Sequence, residues 1–236
     1  MYPETKILGI RLHKISRRDL EKEVVSSLGA PRPLKPLFIA TVNPSFVLKA
    51  QKDVSFKEIL NHKTTLNVAD GVGLKIADRS LEIIPGVDIV RLLLDKAELL
   101  GSEVHIVSKR DSLTPKGRME YTLRAKYPKL VFSVKEEDSV VGGCDVLLCA
   151  LGEVEQEKFI VDNMGRTRSR VAIGIGGSFD VITGAIKLPQ TVYFSWFFRL
   201  IASPRRFPKI FRSVILFPLL FFSKKLLTRC NKVPIM

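Results

Sequence analysis

From Ile186 to its C-terminus this 236-residue chain has no aspartate and no glutamate. The same stretch carries ten cations: Lys187, Arg199, Arg205, Arg206, Lys209, Arg212, Lys224, Lys225, Arg229 and Lys232. The remainder holds 28 basic against 24 acidic residues, so the net charge of +14 belongs mainly to a tail. Such a tail must meet an anionic partner or repel itself. Cysteine is scarce, at 144, 149 and 230 only, with no CxxC and no Cys/His cluster. That excludes a disulfide scaffold and gives no zinc signature. The three histidines (13, 62, 105) are scattered. No P-loop and no Asp-x-Asp pair occurs, and G-x-G-x-x-G spacing is absent. No acid follows Gly176 by about 20 residues to hold a ribose, which argues against NAD. No cofactor and no metal are expected.

What is present is an ordinary globular composition, 46% hydrophobic and 26% charged, long enough to bury a core. The N-terminal twenty residues mix charges and do not read as a secretory signal. Lys6 to Ile15 reads as a short strand pair, and Ser16 as the N-cap of a helix to Leu28. Strand and helix then alternate. Strands are expected at Leu37–Val42, Thr64–Ala69, Val104–Val107, Leu130–Val134, Asp145–Leu151 and Arg170–Ile175. Helices are expected at Ser45–Leu60, from Gly71 to Arg79, at Gly86–Leu100 and at Lys116–Tyr127. Short apolar strands between helices imply an α/β fold, Rossmann-like, with a mostly parallel sheet covered by helices on both faces. The ten residues Lys135–Cys144 are short for a helical crossover, so an antiparallel pair or a misassigned strand is expected there.

The composition changes at Pro189. Ten of the 19 aromatic residues follow it. Residues 1–188 are therefore expected to form the body and 189–236 a basic, aromatic C-terminal appendage. Val214 to Phe222 is apolar but interrupted by Pro218, and far short of the roughly 20 residues a spanning helix needs. It suits a segment lying in a membrane interface, with cations on lipid phosphates. A core helix with a basic face and a nucleic-acid surface are the rival readings.

Ligands of an open parallel sheet sit beyond the carboxyl ends of its strands. Three segments end strands there: Thr41-Val42-Asn43-Pro44, Val68-Ala69-Asp70-Gly71, and Gly174 to Asp180. Each alone is an ordinary cap or turn; together on one edge they mark a site. A fourth, Leu151 to Lys158, starts a helix whose N–H groups and Gln156 suit an anion or a sugar hydroxyl, or else form a plain surface helix start.

TVNPSFVLKAQKDVSFKEIL, NVADGVGLKIA, PGVDIVRLLLDKAELLG, LGEVEQEKFI, IGIGGSFDVITGAIK and SWFFRLIASPRRFPKIFR stand in this order between Leu37 and Arg212. Together they resemble the WecG/TagA/CpsF family of bacterial glycosyltransferases. The resemblance implies inverting, metal-independent transfer of N-acetylmannosamine or its uronic acid. The donor would be a UDP-sugar and the acceptor an undecaprenyl-diphosphate-linked sugar at the cytoplasmic membrane face. It implies Asp70 as catalytic base, substrate contacts from Thr41, Asn43, Gly71, Gln156, Gly176, Gly177 and Asp180, and lipid-diphosphate contacts from Arg199, Arg206, Lys209 and Arg212. The chain departs from the family pattern at Ile83, where Arg is usual. Val154 stands for Pro before the Gln156-Glu157 pair, and Ser108-Lys109-Arg110 replaces a glycine-rich turn.

Residue chemistry agrees. Inverting transfer needs a base on the face opposite the leaving group. Without a metal, the charge growing on UDP is met by N–H groups and cations. Expected partners are the UDP-sugar, the polyprenyl-linked acceptor and an anionic membrane surface, with the protein peripheral on the inner face. Nucleic acid is not an expected partner; self-association is compatible. A catalytically inactive membrane-binding module is the alternative.

Overall fold

The computed structural model describes residues 2–33, 35–139, 142–186 and 215–230, with side chains as far as Lys224 in the last stretch. The strands are β1 (Glu4–Ile7), β2 (Ile10–His13), β3 (Leu37–Val42), β4 (Leu66–Ala69), β5 (Val104–Ser108), β6 (Phe132–Glu136), β7 (Val146–Ala150) and β8 (Val171–Gly174). The α-helices are α1 (Arg17–Gly29), α2 (Pro44–Ala50), α3 (Val54–Glu58), α4 (Gly86–Leu100), α5 (Lys116–Lys126), α6 (Glu155–Thr167), α7 (Ser178–Ile182) and α8 (Phe217–Cys230). β1 and β2 form an antiparallel hairpin. The other six make one sheet in the order β4-β3-β8-β7-β5-β6, parallel throughout.

Alternation along β3 shows why both faces are covered. Leu37 and Ile39 pack with α1, α4, α5 and α7, whereas Phe38, Ala40 and Val42 point to the side of the hairpin, α2, α3 and α6. All six residues of β3 are buried, as in a central parallel strand. The α1 start is fixed by Ser16, whose Oγ accepts from Asp19 N–H at 3.1 Å.

Three local expectations need correction. Residues 45–60 are not one helix. Asp53 accepts from Phe56 N–H at 2.9 Å and from Lys158 at 2.9 Å. This cap breaks the run into α2 and α3, followed by a π-helical turn at Ile59–Lys63. The segment after Gly71 is a short 3-10 helix, Val72–Ile76. Finally, the strands flanking Lys135–Cys144 are neither antiparallel nor neighbours. β6 and β7 lie on opposite sides of β5, each parallel to it. The connection steps over one strand, and its described residues contain no helix.

α8 folds back on the body. Phe217 is fully buried among Phe46, Val47, Phe56 and Leu74. Phe221 stacks on Phe217 at 6.3 Å between ring centres, and Lys224 Nζ donates to Gln51 Oε1 at 3.0 Å. The apolar run therefore divides: Phe217 joins the core, while Leu219 and Phe222 stay at least half exposed. Among the described residues no helix is long and apolar enough to cross a membrane.

Candidate functional site

Because β4, β3, β8 and β7 are consecutive in the sheet, the loops at their carboxyl ends stand side by side. Asn43 begins α2: its Oδ1 accepts from Phe46 N–H at 3.1 Å. Its Nδ2 lies 3.4 Å from Glu153 Oε1, while Ser45 Oγ donates to Glu153 Oε2 at 2.8 Å and Lys49 Nζ pairs with it at 3.2 Å. One carboxylate beyond β7 thus ties the start of α2 to the start of α6.

Asp70 is half-buried beyond β4, its N–H bonded to Val42 O at 2.7 Å. The turn requires Gly71, whose φ of +110° suits glycine alone. Asp70 Oδ2 faces the first turn of α4. A Cβ on Gly86 would lie 3.6 Å from that oxygen and 3.4 Å from Thr41 Cγ2. Thr41 in turn has its Oγ1 3.5 Å from Gly174 O. Asp70, Thr41 and the β8 end therefore share one edge, as the sequence predicts.

Gln156 and Glu157 are buried behind that edge. Gln156 Nε2 donates to Glu157 Oε1 at 2.6 Å, and its Oε1 accepts from Gly176 N–H at 2.9 Å. Glu157 Oε2 accepts from Val154 N–H at 2.8 Å. Val154 has φ 81° and ψ −53°, a conformation a β-branched residue rarely adopts. Burial pushes the Glu157 carboxyl from 4.5 up to about 7, against the lowering effect of its hydrogen bonds; Glu153 adds to the rise. Cys149 of β7 also faces it, and burial pushes that thiol up strongly.

The remaining predicted residues divide. Gly177 is exposed in the turn after β8. Asp180 is buried on α7, where Thr114 Oγ1 donates to it at 2.8 Å, so it anchors the segment before α5. Arg199, Arg206, Lys209 and Arg212 lie outside the described residues. Ile83 packs against the cluster that holds Phe46 and Phe217. Lys109 pairs with Glu155 at 2.6 Å beside the start of α6, and this pairing raises its pKa. Two of the three histidines are accounted for elsewhere. His13 Nδ1 accepts from Asn67 N–H at 2.9 Å, with burial lowering its pKa, and His105 pairs with Glu103 at 2.9 Å.

Sequence reasoning missed the joining role of Glu153 and the anchoring role of Thr114. It gave Glu157 no part of its own beyond the family pair. A signal existed: Glu153 and Glu157 flank the start of a helix that follows directly on an apolar buried strand.

Comparison places these loops in a wider set. The family model described as glycosyl transferase WecG/TagA/CpsF matches residues 5–231. Two relatives come from Staphylococcus aureus strains MRSA252 and NCTC 8325, each 25% identical over 208 residues. The alignment covers 80% of this chain and 81% of theirs. Both are called N-acetylglucosaminyldiphosphoundecaprenol N-acetyl-beta-D-mannosaminyltransferase. With nearly its whole length matched and its strand-end loops gathered at one edge, the chain belongs to the WecG/TagA/CpsF glycosyl transferase family.

Proposed function

We propose that this protein transfers N-acetylmannosamine, or its uronic acid, from a UDP donor to a sugar on polyprenyl diphosphate, with inversion. The observation that carries this reading is the half-buried Asp70 carboxylate at the carboxyl end of β4, set against Thr41 and the first turn of α4. As base, Asp70 takes the proton of the acceptor hydroxyl while that oxygen attacks the anomeric carbon. The glycosidic electron pair leaves with UDP. The growing charge on UDP is met by N–H groups and cations, with Arg199, Arg206, Lys209 and Arg212 assigned to the acceptor diphosphate. The protein sits peripherally on the inner membrane face. In support, Ile215 and Leu216 just before α8, and Leu219 and Phe222 on it, are exposed beside Lys224.

The test is a panel of UDP-sugars against a short-chain polyprenyl diphosphate carrying N-acetylglucosamine, in EDTA and without it. UDP release with formation of the disaccharide, undiminished in EDTA, is expected. Asp70→Asn is expected to lose about 100-fold or more, the usual worth of a general base. No turnover with any donor would overturn the reading, and full activity of Asp70→Asn would overturn the base assignment.

A further inference from the structure

Glu157 lies entirely within the protein, so it is not in contact with solvent or with a cleft. A buried carboxylate is costly unless its hydrogen bonds do something an amide or an apolar side chain would not. Its surroundings show what that is. The polar groups run in one line: Val154 N–H to Glu157 Oε2, then Gln156 Nε2 to Glu157 Oε1, then Gly176 N–H to Gln156 Oε1. Glu157 accepts at both ends. Gln156 has two ends of opposite character, and the acceptor at Glu157 forces its amide to present oxygen to Gly176. The reverse orientation would set Nε2 against Gly176 N–H and Oε1 against a carboxylate oxygen.

We infer that Glu157 is a positioning residue, whose carboxylate fixes the amide of Gln156 and thereby the Gly176-Gly177 turn beside Thr41 at the β8 end. The inference rests on the proposed reading that this turn borders the sugar-nucleotide donor. Gly174 makes room for the pair, because a side chain there would collide with Gln156 Nε2 and Glu157 Oε1.

The line of donors and acceptors can be counted. Glu157→Gln keeps the shape but adds a donor. Every arrangement of the two amides then leaves one N–H facing another N–H. The exchanged double variant, Gln156→Glu with Glu157→Gln, restores the count. The amide at 157 accepts from Val154 and donates to the carboxylate at 156, which accepts from Gly176. A residue needed only for packing volume would not distinguish these two variants.

The experiment measures two quantities on the full chain at pH 8 and above, where Glu157 is ionised: amide hydrogen exchange at Gly176, and kcat and KM for UDP-N-acetylmannosamine. Glu157→Gln is expected to speed Gly176 exchange and to raise donor KM about tenfold or more, as an unsatisfied buried donor does. The exchanged variant is expected to bring both to within about threefold of wild type. Equal defects in the single and exchanged variants would overturn the relay, as would normal kinetics in Glu157→Gln despite fast exchange. If the wild type turns over no UDP-sugar, the functional reading fails. Gly176 exchange in the two variants then still decides whether Glu157 sets the turn.

Discussion

Gly174 and Gln156 touch across the edge of the sheet with no room for a methyl group between them. A Cβ at Gly174 would overlap the Gln156 amide and the Glu157 carboxylate behind it. β8 ends on a glycine because α6 sends two polar side chains into the space a larger residue would fill.

Gly174→Ala is therefore expected to lower stability by about 1–3 kcal/mol, the usual cost of overpacking a buried site. Urea unfolding measures it. The shift should shrink when Gln156→Ala is added, because the colliding amide is then gone. Equal shifts in both backgrounds would show that the Gln156 amide is not what the added methyl meets, and leave the Glu157 carboxylate as the obstacle.

Glu157 also predicts a pH dependence. Its carboxyl is raised from 4.5 to about 7 in the fold. Between those values the folded chain keeps a proton that the unfolded chain has lost, so stability falls as pH rises. The full excursion amounts to about 3 kcal/mol, complete above pH 7. His13 acts in the opposite sense over part of this window, since burial lowers its pKa and it resists protonation. The effect is isolated by subtraction. Stability measured from pH 4 to pH 8 should decline more steeply, or rise less, in wild type than in Glu157→Gln. Parallel curves would show that Glu157 does not titrate there.

The two sides of α8 should respond differently. Phe217→Ala empties a fully buried site and is expected to cost about 3–5 kcal/mol in denaturant unfolding. Leu219 and Phe222 are 63% and 50% exposed. Leu219→Glu with Phe222→Glu should leave the unfolding midpoint nearly unchanged but reduce co-sedimentation with anionic liposomes. Undiminished sedimentation of the double variant would remove α8 from the membrane contact.

Arg199→Ala and Arg206→Ala each remove one positive charge, worth about 1 kcal/mol where it reaches an anionic membrane. If they also hold the acceptor's diphosphate, turnover should fall further than liposome binding. Proportional loss of the two would make the appendage an anchor alone.

Legibility followed locality. The limits of β3 and α4 are those the sequence predicts, because continuous apolar runs and helical spacing act over a few residues. Asp70 and the β8 glycines fall on one edge because strand ends in a parallel sheet do so by construction. What escaped prediction depends on partners distant in sequence. Asp53 reads as one more polar residue in a helix until Lys158 is brought beside it. Phe217 reads as membrane-facing until the cluster around Phe46 receives it. Strand order left no trace in the segment 135–144, since its length alone does not say which strand it steps over. The lining-up of Val154, Glu157, Gln156 and Gly176 likewise needs β8 and α6 in place.

The sheet order also has a consequence for synthesis. β3 pairs with β4, and β5 with β6, from chain already made, but β7 and β8 fill the gap between these pairs. While the nascent chain grows, the inner edges of β3 and β5 stand open, and β3 is apolar but for Thr41. Such edges invite pairing with other chains. Only when Val171 to Gly174 leaves the ribosome can the two halves join. A message cut short before that point would yield a sticky fragment rather than a weak enzyme, because the segment that closes the sheet also brings the last loop to the Asp70 edge.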